Sequence, residues 1–132
     1  MNDAEVAIKV DRLWLGLGAA FAFTGVLAGS VATRLFFTEP GPIQSFEAGA
    51  RYQVYHALAL LFVAILAPGR RDPLIPWAGW LFVVGIIVFS GSQYFLGLTG
   101  SQLAYGVTRV GGIFFLPGWG LLLYRTLFPA RE

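Results

Sequence analysis

The chain has 132 residues, 57% hydrophobic and 12% charged, with mean hydropathy +0.70 and formal charge +2, a composition that suits one domain dissolved in lipid rather than water. Its basic residues are scattered instead of gathered on a face or in a tract, which excludes nucleic acid as a partner. With no cysteine, disulfides, thiolate nucleophiles, Cys-bound zinc and iron–sulfur clusters are excluded as well.

Leu13 to Ala32 carries no charge and, at ~1.5 Å per residue, reaches roughly 30 Å, the thickness of a hydrocarbon core. The small residues of "AGSVA" would suit a cleavage point. The flank before this segment holds Asp3, Glu5 and Asp11 beside Lys9 and Arg12, however, which is too acidic for a signal peptide. The segment is therefore expected to stay as a first span. A second span runs from about Phe46 to Ala67 and is closed by "PGRRDP". A third, from about Leu74 to Gly97, ends in "LTGSQ", and a fourth, from about Leu103 to Tyr124, precedes "RTLFPARE". Short connections and the lack of strand-period alternation predict an all-α polytopic membrane protein. Its single domain, 1–132, holds four antiparallel transmembrane helices in an up-down bundle.

Charge asymmetry orients this bundle. Lys9, Arg12, Arg70, Arg71, Arg125 and Arg131 fall on the side of both termini, against Arg34, Arg51 and Arg109 on the other. That bias predicts cytoplasmic termini. Trp14, Trp77, Trp80 and Trp119 fall toward the cytoplasmic ends and Tyr52, Tyr55, Tyr94 and Tyr105 toward the outer ends, as interfacial belts would.

Helices in lipid gain little from hydrophobicity when they associate, so their packing depends on small residues that let backbones approach. Ala22, Gly25, Gly29 and Ala32 form such a row in the first helix, Ala78, Gly85 and Ser92 in the third, and Ala104, Thr108 and Gly112 in the fourth. Gly111 and Gly118 share one face of the fourth helix while Gly112 and Trp119 share the next. A four-helix bundle should bury mainly one of these faces. The edge of Thr108, Gly112 and Trp119 is expected to meet a second copy or a larger membrane complex.

The segment "RYQVYHALAL" interrupts the oily composition with Arg51, Gln53 and His56, the sole histidine. Up-down geometry brings Ser30 and Thr33, Gln53 and His56, Ser90, Ser92 and Gln93, and Thr108 and Arg109 to similar depth in the outer half. Together they form a predicted polar layer. Gln53 and His56 are expected to bond to the third or fourth helix, at Ser90, Ser92 or Thr108, because an unpaired polar group in hydrocarbon costs several kcal/mol. Glu47 precedes Arg51 by one turn, the favourable order for an exposed ion pair. The layer either fixes the register of the bundle or, with His56 and Arg109, serves a solute, anion or proton.

Catalysis finds no support in these residues. One histidine without a buried carboxylate makes no metal shell, haem ligation by His56 would need a two-fold axis, and "FSGSQY" lacks the G-x-S-x-G elbow. No catalytic residue, metal or cofactor is expected.

Taken together, "RYQVYHALALL", "LFVVGIIVFSGSQYFLGLTG" and "VGGIFFLPGW" resemble the small four-helix bacterial membrane proteins of the domain-of-unknown-function 423 family, related to transmembrane protein 256. The resemblance covers about Arg51 to Trp119. Thr33 stands where the family pattern has a histidine, and "TRVGG" where it favours T-P-x-G-G. The resemblance implies an inner-membrane location and no established reaction, substrate or cofactor. The expected function is a non-enzymatic structural or accessory subunit of a membrane complex, homo-oligomeric or larger. The alternative is permeation or transport of a small solute, ion or proton through the polar layer.

Overall fold

In the computed structural model, residues 8–69 and 71–130 are described, without the side chains of Val31, Ala32 and Phe36. The charges at Asp3, Glu5, Arg70 and Arg131 and the Ala32 side chain, all used in the expectations above, lie outside this description. Four long helices run through the described residues: α1 Arg12–Leu35, α2 Pro40–Leu66, α3 Leu74–Thr99 and α4 Leu103–Leu127. Each is long and apolar enough to cross a membrane, and sequential helices are antiparallel, as hydropathy and the short connections require.

Local chemistry sets the helix ends. Asp11 caps α1, its carboxylate accepting from the backbone N–H of Leu13 at 2.9 Å and of Trp14 at 3.4 Å. α2 begins at Pro40 rather than near Phe46, because prolines are at home in a first turn, where their missing N–H has no helical partner to lose. Its 27 residues span about 40 Å, roughly 10 Å beyond a hydrocarbon core. Arg51 to Leu60 therefore lies in the body of α2. α3 stops at Gly100, whose φ of 67° lets its N–H turn back to Leu96 O at 2.8 Å.

Two helices widen by a π-helical turn, α1 over Leu27–Ala32 and α3 over Ile86–Ser90. α4 tightens at Phe114, whose N–H reaches only to Gly111 O. Pro117 follows, and its ring cannot donate to the carbonyl one turn back, so the helix is interrupted here.

α2 and α3 form the central pair, and α1 packs on α2 while α4 packs on α3. Among the described residues no comparable interface joins α1 to α4. The core lies between the central helices, where Leu60, Val63, Ile75, Phe82 and Ile86 are buried, and α1 and α4 each add a large side chain, Trp14 and Phe115. Glycines set the helix separations. A Cβ on Gly111 would lie 2.4 Å from the Phe89 backbone N, so α3 and α4 touch backbone to backbone there. Cβ atoms on Gly25, Gly29, Gly85 and Gly118 would meet Val54, Ala50, Phe115 and Phe82 at 2.9, 2.9, 2.5 and 2.7 Å. These four predicted packing positions are used inside the chain. Gly112 differs, with Phe89 ring atoms no nearer than 3.6 Å.

At the end carrying both termini, Asp72 is buried and takes a bidentate hold on Arg125, one contact being Nη2 to Oδ1 at 2.9 Å. The same Oδ1 accepts from Leu74 N at 3.0 Å. The turn between α2 and α3 is thereby tied both to the start of α3 and to the last turn of α4.

Candidate functional site

Gln53 stands at the junction of three helices. Its Nε2 donates to Phe21 O at 2.9 Å and to Thr24 Oγ1 at 2.7 Å, both on α1, and its Oε1 accepts from the Tyr94 hydroxyl of α3 at 2.7 Å. Gly25 favours this arrangement, because a Cβ at that position would crowd the Gln53 side chain at 3.3 Å from its Cγ. Thr24 in turn donates to Ala20 O at 2.9 Å within its own helix. Both amide hydrogens and the carbonyl oxygen of Gln53 are therefore engaged.

Two further bonds close the remaining interfaces. Ser90, brought round by the widened turn of α3, donates to Gly49 O of α2 at 2.7 Å. Ser92 of α3 and Thr108 of α4 share a hydrogen bond of 2.6 Å. Each consecutive helix pair is thus fastened by at least one side-chain bond.

His56 does not join this set. It was expected to bond to Ser90, Ser92 or Thr108, but those hydroxyls are taken by Gly49 O and by each other. Its Nδ1–H instead donates to Tyr52 O at 2.6 Å, one turn back on α2. The ring stacks on Phe115 of α4, with centroids 3.5 Å apart and planes 7° from parallel. Phe82 and Trp119 lean on it from 5.7 and 6.2 Å. The imidazole, 5% exposed, is an aromatic packing element between α2 and α4. Nε2 has no hydrogen-bond partner among the described residues.

The rest of the predicted layer disperses. Ser30 and Thr33 donate to Val26 O and Gly29 O of their own helix. Gln93 is half-buried with its Cβ beside Gly49, and Arg109 is exposed, and neither makes a side-chain hydrogen bond among the described residues. Glu47 and Arg51, both exposed, do not close the expected ion pair. In place of one continuous layer there are three separate fasteners and an aromatic stack. Among the described residues no three His, Asp or Glu side chains gather as a metal would need.

Thr24 and Tyr94 are the functional-site residues that pattern reading missed. Thr24 is a lone hydroxyl beside Gly25, and once Gly25 is known to pack on α2 that neighbour is the natural reach of a polar side chain. Tyr94 was placed in an interfacial belt, yet its hydroxyl turns inward. The Asp72 to Arg125 pair also left a sequence signal, since Asp72 is the sole acid between Glu47 and Glu132.

Four antiparallel apolar helices, closed against one another by small residues and side-chain hydrogen bonds, define a polytopic α-helical membrane protein. Within that class the chain belongs to the family described as protein of unknown function (DUF423), which matches residues 28–112 and so includes every residue of the three fasteners except Phe21 and Thr24. The UPF0382 inner membrane protein YgdD of Escherichia coli (strain K12) is 32% identical over 124 residues, covering 92% of this chain and 95% of the relative. UPF0382 membrane proteins of Staphylococcus epidermidis and Staphylococcus haemolyticus are 42% and 37% identical over 82 and 81 residues. The match spans 66% of the length of these staphylococcal relatives and about three fifths of this chain, 62% and 61%. No solved structure matches the chain.

Proposed function

We propose that this chain is a non-enzymatic structural or accessory subunit of a bacterial inner-membrane assembly, with both termini in the cytoplasm. The observation that carries this reading is the use of Gln53, Ser90, Ser92 and Thr108, the buried and half-buried polar groups of the outer half, as interhelical fasteners. A permeation path would have to break these bonds. What the fold leaves available is apolar surface. Only 12% of the most apolar window of α1 and 22% of that of α4 is buried, against 50% for α2. On α4 the outward face carries Gly106, Ile113 and Gly120 every seventh residue, with open space around both glycines. Small residues at that spacing let a neighbouring helix come close. This face is proposed in place of the edge of Thr108, Gly112 and Trp119, because Thr108 is bonded to Ser92, Gly112 lies against the Phe89 ring and Trp119 packs on the Phe82 ring.

Native mass spectrometry of the chain extracted from its own membrane in mild detergent tests the proposal. The expected result is a defined assembly, of copies or with a larger partner, that Gly106→Leu or Gly120→Leu dissociates while the fold keeps its stability. A monomer in both wild type and variants, combined with solute or proton flux after reconstitution, would replace the subunit reading with transport.

A further inference from the structure

A groove of about 380 Å³ runs between α1 and α2, lined by Gly25, Val26, Gly29, Ser30, Glu47, Ala50, Arg51 and Val54. Because the two helices are antiparallel, with Gly29 opposite Ala50 and Gly25 opposite Val54, the lining changes steadily with depth. Glu47 lies nearest the ends of the two helices at Leu35 and Pro40, Ser30 and Arg51 come next, and Val26, Gly25 and Val54 lie farthest from those ends. Glu47 and Arg51 are one helical turn apart, about 6 Å of rise. Both are exposed, and neither makes a side-chain hydrogen bond or ion pair among the described residues.

We propose that this groove binds one phospholipid whose head group carries a primary ammonium outside its phosphate, a phosphatidylethanolamine. The order of charges is the argument. In such a lipid the ammonium lies farthest from the bilayer centre, the phosphate next, and the acyl chains deepest. Glu47 is placed to accept from the ammonium, Arg51 to donate to the phosphate, and the apolar side chains of Val26 and Val54 to meet the start of a chain. Charge-assisted hydrogen bonds to a carboxylate and from a guanidinium are the strong ones. They also discriminate: phosphatidylcholine has no N–H to offer Glu47, and phosphatidylglycerol has no cation at all. An arginine near the interface is expected on general grounds, but an acid one turn farther out, unpaired with it, is what an anionic lipid would reject.

The experiment is native mass spectrometry of the full chain released from nanodiscs holding equal amounts of phosphatidylethanolamine, phosphatidylcholine and phosphatidylglycerol. The wild-type chain should retain phosphatidylethanolamine about three- to fivefold over either competitor, the scale of one exposed charge pair. Glu47→Gln should remove that preference while phospholipid is still retained, and Arg51→Gln should lower retention of all three. Soluble glycerophosphoethanolamine should fail to displace the lipid, since it lacks the chain the groove holds. Both charges face outward, so these variants should keep the wild-type unfolding midpoint, measured in parallel. Equal retention of the three lipids by the wild type, an unchanged preference in Glu47→Gln, or displacement by the soluble head group would overturn the proposal.

Discussion

Replacing Gln53 by leucine removes three hydrogen bonds at once, those to Phe21 O, to Thr24 Oγ1 and from Tyr94. Side-chain bonds between membrane helices average about 0.6 kcal/mol and reach about 1.7 kcal/mol, so the three together amount to about 2 kcal/mol. Leucine also strands the Tyr94 hydroxyl in an apolar setting, at about 1 kcal/mol or more. The expected loss for Gln53→Leu is therefore about 3 kcal/mol. Tyr94→Phe alone should cost about 1 kcal/mol, since Gln53 keeps both of its donor bonds to α1. In the double variant no hydroxyl is stranded, and the total should fall about 1 kcal/mol or more short of the sum of the singles. Reversible unfolding in mixed micelles titrated with dodecyl sulfate reads all four species of this double-mutant cycle. Additivity within about 0.5 kcal/mol would show that Gln53 and Tyr94 do not act as a unit, and the three-helix fastener would have to be abandoned.

His56→Phe should be nearly neutral in the same unfolding assay, because phenylalanine keeps the stack on Phe115, whereas His56→Ala should cost about 3 kcal/mol by opening a cavity among the aromatics. Gly111→Ala should destabilise by about 2 kcal/mol or abolish folding, its Cβ meeting backbone, while Gly112→Ala should change stability by no more than about 0.5 kcal/mol. Equal effects at the two glycines would contradict the assignment of the buried face. Asp72→Ala should cost about 2 kcal/mol, since it frees Arg125 and removes the acceptor for Leu74 N, and Arg125→Gln should give a smaller loss. A cysteine at Arg71 should be labelled only from the cytoplasmic side, and periplasmic labelling would invert the proposed topology.

The fold was legible because each span is a long apolar run bounded by Pro, Gly or charge, signals that depend only on local sequence. The packing glycines were legible for a related reason: Gly25, Gly29, Gly85 and Gly118 lie on rows that recur at helical spacing. Of the polar residues placed in one layer, Gln53, Ser90, Ser92 and Thr108 fasten helices by hydrogen bonds, while Ser30, Thr33, His56, Gln93 and Arg109 do not and Thr24 and Tyr94 take part unforeseen. Depth along a helix can be read from its ends, whereas rotation about its axis depends on neighbours. Moving the start of α2 back to Pro40 and inserting π turns in α1 and α3 changes which side chains face one another. Ser90 reaches Gly49 O for that reason, and His56 faces Phe115 instead of a hydroxyl. Tyr94 could be read as an interfacial residue because a tyrosine near a helix end suits either environment until its partner is known. The break at Phe114, which sets Phe115 against the imidazole, was not read from the sequence, where the fourth span runs unbroken past Pro117.

Flux through reconstituted vesicles bears most directly on whether the polar residues fasten helices or line a path. Wild-type chain, verified as folded and at its native stoichiometry, would be placed in proteoliposomes with a pH-sensitive dye inside and a proton gradient imposed, and the assay repeated with entrapped small solutes. Fasteners should give leakage equal to that of protein-free vesicles, with His56→Phe and Tyr94→Phe indistinguishable from wild type. Flux above the protein-free rate that disappears in either variant would contradict the structural role assigned to this set of residues.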